Sequence, residues 1–252
     1  MLQKSLINND IYKSLDDKWY TGNDYVALLR SEARARNPYI KEKILHYFSH
    51  DCKILDIGCG GGLLCNDLAN ISNNIIGIDM HAEPLIIARK YNTLNNVNYM
   101  QGNALQLPFA NETFDAVSIL DVLEHVDSYE IALSEAIRVL KKEGLLFFHT
   151  FNRNLFTKYF VIKAMEWFVK GTPKHLHVYQ LFIKPQELIN YLSKENCNLI
   201  EVKGLNPKFT IKNFTKLLFK NEVDANFSFT FSNRLHAGYI GFAQKKGINS
   251  DP

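Results

Sequence analysis

The stretch Lys53-Ile-Leu-Asp-Ile-Gly-Cys-Gly-Gly-Gly-Leu63 decides the fold. A short apolar run, Lys53–Ile57, stops at a glycine cluster, and Leu63–Asn70 then reads as a helix. A strand that turns straight into a helix needs residues without a Cβ where a ligand approaches the backbone, which points to Gly58, Gly60 and Gly62. The next apolar run, Asn74–Asp79, ends in a carboxylate 21 residues beyond Gly58. In nucleotide-binding βαβ units a carboxylate at that spacing takes ribose hydroxyls.

Outward from this unit the rhythm continues. Pro84–Tyr91 reads as a helix with Pro84 in its first turn. Val97–Gln101, Phe114–Leu120 and Leu145–Phe151 read as further strands, the last apolar almost throughout, as in a strand covered on both faces. Between the last two, Asp127 and Glu130 form a D-x-x-E capping pattern, Leu133, Ile137 and Leu140 share one face, and Gly144 sits where a helix stop belongs. Strands alternating with helices predict right-handed βαβ units, a parallel sheet and helices on both of its faces. Asn226–Phe231 and Tyr239–Lys245 read as strands of an antiparallel edge.

Composition excludes several classes. The chain has 252 residues, 46% hydrophobic and 22% charged, as in a globular protein. A net charge of +3 argues against a dedicated nucleic-acid binder. The four cysteines include no C-x-x-C pair, so neither a zinc ribbon nor a thioredoxin-type site is signalled, and free thiols suit a reducing cytoplasm. No apolar run reaches 18 residues, and MLQKSLINNDIYKS at the start lacks the apolar core of a signal peptide. One domain over 1–252 is expected: a helical cap over 1–50, a cofactor-binding core over 51–151, an aromatic helical insertion over 152–190 and the rest of the sheet over 191–252.

The ligand of such a glycine loop can be NAD(P) or S-adenosylmethionine. A pyrophosphate wants a helix N-terminus free of nearby negative charge, and Asp56 stands two residues before Gly58. That carboxylate suits the ammonium of a methionine moiety instead. D-x-G-x-G-x-G resembles motif I of the class I S-adenosylmethionine-dependent methyltransferases. Asn103 and Ala104 in QGNALQLPF resemble the segment that frames adenine in that class. FDAVSILDVLEHV and RVLKKEGLLFFHT resemble its later motifs. The resemblance covers residues 53–151 and implies a Rossmann-like, seven-stranded, mostly parallel sheet with an antiparallel C-terminal edge strand. It also implies that Asp56, Gly58, Gly60, Gly62, Asp79, Met80, Asn103, Ala104 and Leu120 meet the cofactor.

Thr150-Phe-Asn-Arg-Asn154, Lys170-Gly-Thr-Pro-Lys-His175 and Phe182-Ile-Lys-Pro-Gln-Glu-Leu188 narrow this further. With Gly58–Leu63, Gly77–Leu85, Leu123–Val126 and, more weakly, Gly204-Leu-Asn-Pro207, they are similar to the ubiquinone-biosynthesis O-methyltransferases. The resemblance implies O-methylation of a phenolic, polyprenylated intermediate of ubiquinone biosynthesis, and association with other enzymes of that pathway. Another lipophilic or small phenolic acceptor, or a non-catalytic binding subunit with a methyltransferase fold, remain the alternatives. The family's basic residue for the cofactor carboxylate falls on Arg30, Arg34 or Arg36, with Arg36 favoured.

Asp121, Glu124 and His125 follow the fourth strand, at the end that faces a ligand crevice. At i, i+3 and i+4 they can converge on a divalent cation, Mg²⁺ by the resemblance. A phenol with an ordinary pKa of about 10 needs activation, from the metal or from His125 as general base with Glu124 beside it. His149 reads as a core histidine, and His175 and His177 as a pair without a third metal ligand. Residues 155–170, LFTKYFVIKAMEWFVK, read as one amphipathic helix: Lys163, Glu166 and Lys170 fall within about 60° of arc, opposite a Phe/Trp-rich face. Such a helix packs on the sheet or lies in a membrane interface, on the inner face of the membrane for this substrate class.

Overall fold

Val26–Tyr47 forms the long helix α1, which carries the chain to β1 (Ile54–Ile57), α2 (Leu63–Leu68), β2 (Ile75–Asp79), α3 (Ala82–Lys90) and β3 (Val97–Gln101). There follow β4 (Phe114–Leu120), α4 (Tyr129–Val139), β5 (Leu140–Phe151), α5 (Pro185–Lys194), β6 (Cys197–Lys208), α6 (Ile211–Lys220), β7 (Ser228–Ser232) and β8 (Gly238–Lys245). The computed structural model describes residues 8–48, 51–163, 169, 172–173, 178–208 and 210–247. His175 and His177 lie outside the described residues, as does most of 164–171.

The sheet has eight strands in the order β3-β2-β1-β4-β5-β8-β6-β7. β3, β2, β1, β4 and β5 are parallel neighbours. The strand order reverses between β1 and β4, and a crevice opens outside the carboxyl ends of strands at such a point. β1 is buried throughout and alternates between faces: Ile54 packs with α1, α2 and α3, whereas Leu55 and Ile57 pack with α4 and α5. This two-sided cover explains the unbroken apolar strands of the sequence.

The C-terminal strands depart from a seven-stranded pattern. β8 inserts between β5 and β6, antiparallel to both, and β7 adds an eighth strand outside β6. β8 is buried along most of its length, while β7 alternates exposed and half-buried residues, as an edge strand does.

Two boundaries differ from the sequence reading. The N-cap of α4 is Ser128, not Asp127: its hydroxyl accepts from Ile131 N at 3.3 Å and donates to Glu130 Oε2 at 2.9 Å. The helix stops at Val139 rather than Gly144, because fully buried Leu140 already pairs with Phe114 in the sheet. Ala116 then pairs with Leu145, so Lys141–Gly144 form an irregularity in β5, with Glu143 at φ +62°. Gly144 marks that bulge.

The aromatic insertion begins as a π-helical turn over Thr157–Lys163 rather than a regular α-helix. Thr157 and Ile162 are buried, whereas Leu155, Phe156 and Tyr159 are exposed. Trp167 and the side chain of Phe160 lie outside the described residues. Among the described residues no helix is long and apolar enough to cross a membrane.

Candidate active site

The glycine loop after β1 is held by backbone bonds from Gly58 N and Cys59 N to Ile78 O, at 2.7 and 3.0 Å. Gly58 adopts φ +68°, and a Cβ there would lie 2.2 Å from Val122 Cγ2, so both backbone and space demand glycine. Gly60, at φ +51°, lies under the indole of Trp19, which a Cβ would strike. Gly62 does not line the cleft. A Cβ at Gly62 would meet the Tyr99 hydroxyl at 2.5 Å, so this glycine lets α2 start close to β3.

Asp79 closes the loop from β2. One oxygen accepts from Gly60 N and the other from His81 N, both at 2.9 Å. A carboxylate has about four acceptor positions, so two remain for a ligand. Asp56 is buried beside the loop, with Ser118 Oγ donating to it at 2.6 Å and Cys65 Sγ at 3.4 Å. Burial pushes its pKa up to about 6. Met80, Ala104 and Leu120 supply apolar walls. Asn103 does not line the cleft: its side chain accepts from Leu105 N at 2.9 Å and shapes the turn that presents Ala104.

Of the three candidate arginines, only Arg36 reaches the cleft. Arg30 donates to Lys18 O and Gly22 O, and Arg34 to Phe227 O at 3.0 Å. Arg36 pairs with Asp121, and Asp121 also bonds His149 Nδ1. Burial opposes the charge of Arg36, but Asp121 and Glu32 outweigh it and raise the guanidinium's pKa. Burial likewise opposes the Asp121 charge, yet Arg36 and His149 hold its carboxyl well below the usual range. His149 is fully buried, as a core histidine.

The Asp121, Glu124 and His125 side chains do not gather into a cation site, and the expected metal trio is corrected on this point. Asp121 stands at φ +57° and a tight three-residue turn, Leu123–His125, follows, so helical spacing does not apply. Asp121 is engaged by Arg36 and His149. Glu124 is buried, accepts from Thr150 Oγ1 at 2.7 Å and does not line the cleft. Burial and the Asp121 charge raise it to about 8, so it keeps its proton at neutral pH. His125 does line the cleft, with Nε2 3.3 Å from the Tyr12 hydroxyl, and desolvation lowers it to about 4. Among the described residues no group of three or more His, Cys, Asp or Glu side chains can hold a metal ion.

The sequence reading assigned the N-terminal segment a capping role without naming its residues. Asn9, Tyr12 and Trp19 enter the cleft, and Trp19 covers Gly60 and Gly61. The aromatic cluster Tyr12, Trp19 and Tyr20 ahead of the first strand is the signal that marks them. The cleft runs from the glycine loop to Asp121 and His125.

A methyltransferase-domain family matches residues 55–148. The magnesium protoporphyrin IX methyltransferase of Synechocystis PCC 6803, solved with bound SAH, shares the fold. Its TM-score is 0.65 over 97% of this chain and 98% of its own, at 15% identity. A ubiquinone biosynthesis O-methyltransferase of Bartonella tribocorum is 32% identical over 207 residues, 78% of this chain and 84% of its own. One from Actinobacillus pleuropneumoniae serotype 7 is 33% identical over 216 residues, 81% and 92%. Fold, glycine loop and paired carboxylates thus define an S-adenosylmethionine-dependent methyltransferase of class I. Within that class, the chain belongs to the ubiquinone biosynthesis O-methyltransferase family.

Proposed function

We propose that this enzyme methylates a phenolic oxygen of a polyprenylated intermediate in ubiquinone biosynthesis. The observation that carries the reading is one continuous cleft, with the Cβ-free loop and Asp79 at one end and His125 at the other. When bound, S-adenosylmethionine supplies an electrophilic methyl group on a sulfonium centre. Gly58 and Gly60 offer backbone against it, Asp79 its two remaining acceptor positions for the ribose, and Asp56 a carboxylate for the ammonium. Ala104, Leu120 and Met80 flank the adenosine. Arg36 Nε, buried and without a hydrogen-bond partner among the described residues, is the donor available for the cofactor carboxylate.

On the acceptor side, neutral His125 would take the phenolic proton, while the oxygen's electron pair would form the C–O bond and the sulfonium's C–S bond would break to leave a neutral thioether. The charge of Asp121 favours the imidazolium that results. Holding phenol and methyl in line contributes most of the acceleration. Glu124, which keeps its proton, adds no second negative charge beside Asp121. No step is routed through Mg²⁺, because Asp121 is held by Arg36 and His149 and Glu124 by Thr150.

A polyprenylated acceptor resides in a bilayer. We therefore extend the reading to peripheral membrane contact through 155–170, supported by exposed Leu155, Phe156 and Tyr159. A buried apolar side chain contributes about 1.5–3 kcal/mol, so a Leu155→Glu, Phe156→Glu variant should lose most co-sedimentation with anionic liposomes. Unchanged co-sedimentation refutes the contact. Complementation of a strain lacking ubiquinone O-methylation, with quinone intermediates read by mass spectrometry, tests the function itself. A complemented strain accumulates ubiquinone; continued accumulation of the unmethylated phenol refutes the proposal.

A further inference from the structure

The base proposed for the acceptor is already in contact with a phenol. Tyr12 Oη lies 3.3 Å from His125 Nε2, with the two rings edge to face at 5.7 Å between centroids. In the tautomer that a base needs, Nε2 carries a lone pair and the Tyr12 hydroxyl donates to it. An acceptor phenol requires that same lone pair.

We infer that Tyr12 is an internal stand-in for the acceptor: its phenolic hydroxyl occupies the hydrogen-bonding position on His125 that the substrate's hydroxyl takes, and substrate binding displaces it. This rests on the reading of His125 as the acceptor-side base.

Three further observations support the displacement. Tyr12 ends a single three-residue-per-turn segment, Asn9–Tyr12, with no buried residue of its own. Among the described residues one side-chain hydrogen bond besides that of Tyr12 ties the segment to the site, Asn9 Nδ2 donating to His125 O at 2.9 Å; Tyr12 otherwise packs against Leu15, Val26 and Trp19, stacking on the indole at 6.2 Å. Asn9 Oδ1 and Trp19 Nε1 are buried without a hydrogen-bond partner among the described residues. Orphaned buried polar atoms cost free energy, so this closed arrangement is not the one in which the segment's groups are all satisfied. All three residues line the cleft shared with Gly58 and His125. Tyr12 thereby sets how readily a phenol enters, as a positioning residue rather than one that reacts.

The test is steady-state kinetics of the full chain with S-adenosylmethionine and catechol as the soluble probe. Tyr12→Phe keeps the ring and its packing and removes only the competing hydroxyl. The KM for catechol should fall about fivefold, equivalent to about 1 kcal/mol, with kcat and cofactor affinity within about twofold of wild type. Asn9→Ala, which cuts the segment's other hydrogen bond to His125, should shift KM in the same direction. An unchanged or raised KM in Tyr12→Phe overturns the inference. A tenfold fall in kcat also overturns it, by making the hydroxyl part of the proton path. A wild-type enzyme that binds S-adenosylmethionine yet methylates neither catechol nor the quinone intermediate refutes the reading of the acceptor instead.

Discussion

Replacing Asp79 with asparagine separates two jobs that the carboxylate performs. In the free protein its oxygens accept from Gly60 N and His81 N, each at 2.9 Å. Asparagine keeps one accepting oxygen and turns an amide donor toward the other N–H. One charge-assisted bond is lost, so unfolding in urea should reveal about 1.5–3 kcal/mol of lost stability. The second job is the ribose. Asparagine offers one neutral oxygen, so one hydroxyl bond weakens by about 1 kcal/mol and the other loses its acceptor at about 1.5–3 kcal/mol, together at least about 2.5 kcal/mol, or roughly seventyfold in Kd. Titration calorimetry with S-adenosylmethionine reads this directly. Asp79→Ala, which removes both acceptors, should weaken binding by roughly a hundredfold or more. A variant that loses stability but binds with unchanged affinity would show that Asp79 only fastens the glycine loop, and the ribose assignment would fall.

Gly58→Ala should cost about 2–5 kcal/mol in urea unfolding, from a left-handed backbone and the Val122 clash; Val122→Ala should recover the steric share, and strictly additive effects would contradict this. His125→Ala should lower kcat by about 10²–10⁴ with cofactor affinity within about twofold, and wild-type activity should survive exhaustive EDTA treatment; restoration by Mg²⁺ of a chelated, inactive enzyme would reinstate a metal. Glu124 has a folded pKa of about 8 against a reference value of 4.5, so the folded state binds the extra proton between those values. Its stability contribution is present below pH 4.5 and is lost as pH rises toward 8, at up to about 1.4 kcal/mol per pH unit. Glu124→Gln should therefore gain on wild type between pH 5 and 8 in chemical denaturation, and a pH-independent difference would refute the raised pKa.

The parts legible in the sequence were those set by local chemistry. The strand, glycine turn and helix around Gly58 occupy eleven consecutive residues from Lys53 to Leu63, and Asp79 follows at one βαβ spacing. What failed was decided at longer range. Asp127 and Ser128 are both good N-caps, and which one starts α4 is settled by packing. Leu140 fits a helical face, but the edge of Phe114 takes it into the sheet. The metal trio presumed helical spacing, whereas the left-handed Asp121 and the turn after it send the three side chains apart: Asp121 to Arg36 and His149, Glu124 to Thr150, and His125 to Tyr12. No spacing rule places Tyr12 or Trp19 on a loop some forty residues ahead in the chain.

The charge balance of the cleft also explains why this glycine loop suits a sulfonium cofactor and not a dinucleotide. Arg36 is the cation that enters it among the candidate arginines, and Asp121 already matches its charge. Glu124, buried nearby, is pushed up to about 8 and holds its proton, so it leaves that pair undisturbed; burial pushes Glu32 upward as well. Asp56 and Asp79 remain as anions beside the loop, and both are raised by burial, which means that the protein itself disfavours their charge. A pyrophosphate would add two more negative charges to that end, where Arg36, already matched by Asp121, is the one Lys or Arg side chain among the described lining residues. The methionine end of S-adenosylmethionine brings one charge of each sign, and its sulfonium brings a further positive one. The ligand's net positive charge therefore offsets one of the two carboxylate charges instead of adding to them, and an ammonium beside Asp56 should lower its pKa from about 6. Proton release on titration with S-adenosylmethionine near pH 6, measured by calorimetry in buffers of different ionisation enthalpy, should be present in the wild type and absent in Asp56→Asn. Equal proton release in both would mean that the ammonium is met elsewhere.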